Sequence, residues 1–285
     1  MGTITPNLDG RVALVTGAGR GLGWGVAVAL ARSGAQVCVA DIAADDVARA
    51  GADIEAEGGT ARGEVFDVAD GTAFDAAVGR TVDAWGRIDA MVHAAIHMPL
   101  ARFDEVSEED WRTQLDVGLG GYVNGVRACW EPMVRQGGGH LIGIASGSSL
   151  RGYAEEVAYC TLKHGLEGLV KSLALETREL GLAPNTVGPG APIKPTRMTW
   201  AELEALPEHE RSVWDDPRDL GRAFAWLAAQ DPRTWSGLRF DASPIRDSLD
   251  REGTAFRVEP EKVTLYADDF RERLAWRDSG QWAQP

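Results

Sequence analysis

A chain of 285 residues can bury a substantial core. Its net charge of −14 repels phosphate backbones and anionic bilayers, which sets nucleic acid and membrane aside as partners. No apolar run reaches a membrane span, "MGTITPNLDG" lacks a basic-then-apolar secretory signal, and three scattered cysteines (Cys38, Cys129, Cys160) suggest neither zinc pairs nor a disulfide framework, so a reducing cytoplasm is expected.

The first strand signal, "VALVT" (12–16), runs into "TGAGRGLG" (Thr16 to Gly23) and an amphipathic segment near 22–33. Gly17, Gly21 and Gly23 allow a tight turn, let the backbone approach a pyrophosphate and permit close helix–strand packing. The helix N-terminus that follows offers free N–H groups to phosphate. "QVCVAD" (36–41) ends at Asp41, where an acid bonds the adenosine ribose hydroxyls and repels a 2′-phosphate, favouring NAD over NADP. Arg20 is a counter-signal, since a cation in the turn can meet that phosphate; the plain alternative is a solvated loop arginine.

Next come a helical segment at 43–57, the strand "GEVFDV" (63–68) and a helical segment at 70–85. Asp67, ending that strand, could meet the adenine edge or cap the helix. "IDAMVHA" (88–94) precedes a long segment at 107–135, which Ser107 and Asp110 open as a capping box. "HLIGIAS" (140–146), a segment at 154–180, "PNTVG" (184–188), a segment at 217–229 started by Asp216 and Pro217, and "LRFDA" (238–242) complete the series. Alternating helices and nearly continuously apolar strands predict an α/β, Rossmann-type doubly wound parallel sheet of about seven strands, covered on both faces. Composition turns polar near 243, which divides a catalytic domain (1–243) from a C-terminal extension (244–285).

Within the 154–180 segment, Tyr159 and Lys163 share a helix face at i and i+4, while Leu162, Leu166, Leu169, Val170, Leu173 and Leu175 supply a core stripe. An ammonium favours the ionised phenol, so the pair could act as general acid and base. A half-buried tyrosine beside a solvated lysine is the ordinary alternative.

In combination these motifs resemble the short-chain dehydrogenase/reductase family across residues 8 to 243. "TGAGRGLG" matches its TGxxxGxG and "YCTLK" its YxxxK. Ser146 precedes Tyr159 by thirteen residues, as the family's catalytic serine does. The resemblance implies that Tyr159 moves the proton, Lys163 lowers its pKa and holds the nicotinamide ribose, and Ser146 holds the substrate oxygen, with no metal. It also implies cofactor contacts at Gly17, Arg20, Gly21, Leu22, Gly23, Asp41, Asp67 and Val68, at Ala94 and Ala95, and at Pro189, Gly190 and Thr196 around the nicotinamide. The stretch from Ala191 to Asp215 falls where the fold places a substrate lid, so Met198 and Trp200, with His97 after the fourth strand, are substrate-side candidates. A homotetramer or dimer is implied as well.

Two positions depart from the family pattern. Its NNAG reads "HAAI" (His93 to Ile96), with Ile96 expected to narrow the adenine side or displace the loop. Its helix-4 asparagine falls on Gly118, where a water could occupy the space left by the missing amide. Asn124 points elsewhere on a regular helix. In the extension, Pro260 starts a helix with Val263, Tyr266, Phe270 and Leu274 along one stripe, which must dock on this subunit or a neighbour. The expected activity is NAD-dependent interconversion of a secondary alcohol and a ketone on an apolar or ring-bearing substrate. Other redox chemistry on the same fold (imine reduction, epimerisation) and a decayed nucleotide-binding regulator remain alternatives.

Overall fold

A computed structural model describes residues 6–193, 202, 205–211, 213–253 and 256. Seven strands form one sheet: β1 (Val12–Thr16), β2 (Gln36–Asp41), β3 (Thr60–Val65), β4 (Ala90–His93), β5 (Gly139–Ile144), β6 (Leu182–Gly188) and β7 (Arg239–Asp241). All neighbours pair in parallel, in the order β3-β2-β1-β4-β5-β6-β7. Strand order reverses between β1 and β4, which opens a crevice beyond their carboxyl ends.

The helices are α1 (Gly21–Arg32), α2 (Ala44–Ala56), α3 (Gly71–Trp85), α4 (Glu108–Leu115), α5 (Gly121–Arg135), α6 (Val157–Thr177), α7 (Glu208–Arg211), α8 (Pro217–Ala228) and α9 (Ala242–Glu252). Successive strand residues point to opposite faces. Val15, Val37, Val39, Val92 and Ile142 therefore enter one core layer, with Val26 of α1, Ile54 of α2, Phe224 of α8 and Ile245 of α9. Leu14, Cys38, Met91 and Leu141 enter the other, with Phe74 of α3, Tyr122 of α5 and Leu166 of α6. On the first face, α1 and α8 meet backbone to backbone. A Cβ on Gly25 would overlap the Pro217 carbonyl, and one on Gly221 would lie 2.5 Å from the Gly25 carbonyl oxygen. Among the described residues no helix is long and apolar enough to cross a membrane.

Several boundaries differ from the sequence reading. β3 starts at Thr60 and stops at Val65, ahead of the expected 63–68, because the edge ladder to β2 runs through the polar "TARGEV". Phe66 and Val68 are buried beyond the strand; Phe66 N donates a last bond to the Asp41 carbonyl at 3.1 Å and its ring stands edge-on to Phe74 at 5.1 Å, so their apolarity reports packing more than ladder pairing. The 107–135 segment is broken by one π-helical turn, Asp116–Gly120, in a stretch whose glycines loosen the regular hydrogen-bond ladder. The polar composition beyond 243 conceals α9, whose Ile245 and Leu249 sit four apart and join the core; each such burial contributes about 1.5–3 kcal/mol. The composition change near 243 thus falls inside a core helix. Thr196, Met198, Trp200 and the stripe beginning at Pro260 lie outside the described residues.

Candidate active site

The Gly-rich turn is built for a close backbone approach. Gly17 has φ +63°, and a Cβ there would stand 2.5 Å from the Ala95 nitrogen, so the turn is seated on the backbone of Ala94 and Ala95. Gly21 opens α1 at φ +58° and faces open space, which fits a pyrophosphate at a helix N-terminus. Leu22 turns into the core, and a Cβ on Gly23 would overlap the Gly17 carbonyl oxygen. At the end of β2, the Asp41 carboxylate accepts from Gly19 N (3.0 Å) and Ala43 N (3.2 Å). Exposed Arg20 lies 4.0 Å from Asp46, which also pairs with Arg49 at 2.9 Å. The arginines here therefore face a carboxylate.

Asp67 is exposed beyond β3 and accepts from Ala69 N at 2.9 Å; Asp70 is the residue that caps α3, so the capping alternative for Asp67 does not hold. Val68 is buried, and its carbonyl accepts from Asn124 Nδ2 at 3.0 Å, so Asn124 does point away from Gly118.

Across the crevice, Ser146 follows β5 and caps a short 3-10 turn, its Oγ accepting from Ser148 N at 3.2 Å. Tyr159 sits half-buried in the first turns of α6. Burial pushes its phenol up to about 12, with the neighbouring Ser146 hydroxyl opposing the rise. Lys163 is buried, and burial brings its ammonium down to about 8, with Glu167 opposing. Its Nζ donates to the Ile144 carbonyl at 2.6 Å and stands 5.4 Å from the centre of the Tyr159 ring. The solvated-lysine alternative fails. Burial is the largest influence on the Tyr159 phenol.

Residues 11–206 match the family model described as short chain dehydrogenase. The chain belongs to the short-chain dehydrogenase family. D-threitol dehydrogenase of Mycolicibacterium smegmatis is 34% identical over 211 residues, 74% of this chain and 76% of that protein. Cyclohexanol dehydrogenase of Acinetobacter sp. is 30% identical over 233 residues, 81% of this chain and 93% of the relative. Carveol dehydrogenase from Mycobacterium avium, solved in complex with NAD, superposes with a TM-score of 0.74 over 83% of this chain and 97% of its own; at 24% identity this bears on the fold alone.

The two departures from the short-chain dehydrogenase pattern meet in space. A Cβ on Gly118 would lie 2.9 Å from Leu162 Cδ1 and 3.0 Å from Ile96 Cδ1. Ile96 and Leu162 thus line the space beside Gly118, and the wall there is apolar. His93 is buried at the end of β4, its Nδ1 2.9 Å from Thr16 Oγ1 and its Nε2 3.0 Å from the Val117 carbonyl. Burial brings it down to about 4, so it is a neutral brace between the Gly-rich strand and the π turn. His97 is half-exposed, with Nε2 3.1 Å from Asp110 Oδ1. Pro189 and Gly190 leave β6 at the crevice, Gly190 at φ +66° against Asp241.

One buried pair escaped the sequence reading. Arg239 on β7 donates from Nη1 to Glu167 Oε1 at 2.8 Å and from Nη2 to the Ser146 carbonyl at 3.4 Å. Glu167 also accepts from Thr186 Oγ1 at 3.1 Å. Both ends are buried charges, a burial that neither residue's sequence neighbours announce.

Proposed function

We propose that this short-chain dehydrogenase interconverts a secondary alcohol and a ketone with NAD. The observation that carries the reading is the convergence of Ser146, Tyr159 and Lys163 at the carboxyl end of β5 and the start of α6, beside the crevice. The fold's dinucleotide fits the residues present: the glycine turn leaves room at Gly21, and Asp41 ends β2 with its carboxylate on that turn. Bound NAD supplies or accepts the hydride. The chain does the rest. Lys163 offers a buried cation, Ser146 Oγ holds the substrate oxygen, and Tyr159 gives or takes the proton there.

NAD is preferred to NADP in this reading because a 2′-phosphate beside Asp41 would meet two carboxylates, Asp41 and Asp46, with Arg49 already held by Asp46 and by the Gly19 carbonyl at 2.6 Å. Exposed Leu100, Phe103, Leu150 and Tyr153 on loops beyond β4 and β5 favour an apolar or ring-bearing substrate. Relatives named for threitol and cyclohexanol support a secondary alcohol. A second reading, nucleotide binding without turnover, draws on the apolar wall at Gly118. A screen of cyclic and acyclic secondary alcohols with NAD and NADP separates them. Turnover with NAD supports the enzyme; tight NADH binding with no turnover on the whole panel supports the second reading.

A further inference from the structure

We propose that Glu167 and Arg239 act as a positioning pair that sets the charge of Lys163 and holds Ser146 in place. The proposal rests on the reading of Ser146, Tyr159 and Lys163 as the reacting set. Glu167 lies one helical turn beyond Lys163 on the same face of α6, and its carboxylate is gripped by Arg239 at 2.8 Å. The other arm of that guanidinium reaches the Ser146 carbonyl at 3.4 Å and Asp241 Oδ1 at 3.3 Å. One side chain therefore joins the catalytic helix, the serine turn and the end of β7.

The charges around Lys163 leave few candidates for this role. From β4 comes His93, neutral because burial brings it down to about 4. From its own helix come Tyr159, a neutral phenol held near 12, and Glu167. From β7 come Arg239, buried against Glu167, and half-exposed Asp241. Burial works against the Lys163 ammonium, and Glu167 is the group that works for it. Arg239 shares that carboxylate at 2.8 Å, and is expected to temper the help. On this proposal the two members of the pair push the lysine in opposite directions.

A pair that only staples the fold would not show this opposition. Removing either member of a buried ion pair destabilises a protein, but a staple has no reason to shift a third group's titration in two directions. The chain has four lysines (Lys163, Lys171, Lys194 and Lys262), so lysine labelled at the ε-carbon allows Lys163 to be followed by NMR, with K163M assigning its signal. In E167Q the Lys163 midpoint is expected to fall by about one pH unit, which takes the ammonium fraction at pH 8 from about one half to about one tenth. In R239M the midpoint is expected to rise, and R239K should restore it.

If R239M does not fold, E167Q/R239M removes both charges together, and its midpoint should lie above that of E167Q. The alkaline limb of ketone reduction should move with each midpoint, since reduction needs Lys163 and Tyr159 both protonated. A Lys163 midpoint unchanged in E167Q, or shifted the same way in E167Q and R239M, overturns the proposal. Opposite shifts in a protein that turns over no substrate would uphold the coupling and overturn the catalytic reading instead.

Discussion

Replacing Gly118 with asparagine restores the side chain that the family pattern has and this chain lacks. In this structure it should harm the protein. A methyl group at 118 would press on Leu162 Cδ1 at 2.9 Å and Ile96 Cδ1 at 3.0 Å, both ends of flexible side chains that can turn aside. Gly118→Ala also recovers up to about 1 kcal/mol of helix propensity, so its net effect should be within about 1 kcal/mol of zero. Asparagine carries three more heavy atoms into the same wall. Overpacking costs about 1–3 kcal/mol. An amide with no partner there adds about 1–3 kcal/mol. The sum, about 2–6 kcal/mol, corresponds to a melting temperature lower by about 5 °C or more in a domain of this size. Thermal melts of the unmodified protein, G118A and G118N at one pH measure the ranking. I96G/G118N, which removes the isoleucine that fills the space, should recover part of the loss. A G118N protein that melts at or above the unmodified one and turns over faster would refute the reasoning, since only a roomy polar space could accept the amide.

Asp41→Ala should narrow the preference for NADH over NADPH at least tenfold; calorimetry in which the unmodified protein already binds NADPH better would show that Arg20 decides the matter. Tyr159→Phe keeps the ring and removes the proton, so turnover should fall by at least about a hundredfold with NADH affinity within a few-fold; near-normal turnover would move attention to His97. Lys163 is brought from 10.5 down to about 8 when folded. The unfolded chain therefore binds that proton more tightly, and stability is lowered below pH 8 and rises between pH 8 and 10.5. The difference is about 3 kcal/mol. K163M should accordingly stabilise the protein at pH 7 by up to that amount and flatten the rise between pH 8 and 10.5 in urea melts; a destabilised K163M at pH 7 would contradict it.

The parts of the molecule legible in the sequence were those written in neighbouring residues. Strand and helix alternation, the caps at Ser107 and Asp216, and the Gly-rich turn each depend on a few adjacent positions, and the structure places them as read. Edge strand β3 was misplaced because its ladder uses polar residues while the apolar ones that follow it are buried by packing beyond the strand's end. The opposed changes at Ile96 and Gly118 looked like two separate losses, since nothing local tells that a larger side chain at one fills the space left at the other. Arg239 and Glu167 are 72 residues apart, and each alone reads as a surface charge.

The crossing of α1 and α8 at Gly25 and Gly221 also governs how the protein can be made. Helix α1 emerges early in synthesis, yet the backbone it rests on belongs to residues 217–228. Until those residues leave the ribosome, Val26 and Ala29 have no partner helix on that side, and the sheet behind them is open. Contacts joining such distant parts of a chain slow folding, because the intervening loop must close before they can form. A nascent chain halted before Pro217 would therefore present a sticky, half-built sheet, and chaperone demand during synthesis should end abruptly once α8 is complete. Ribosome-bound fragments ending on either side of α8, compared for protease resistance, would locate that step.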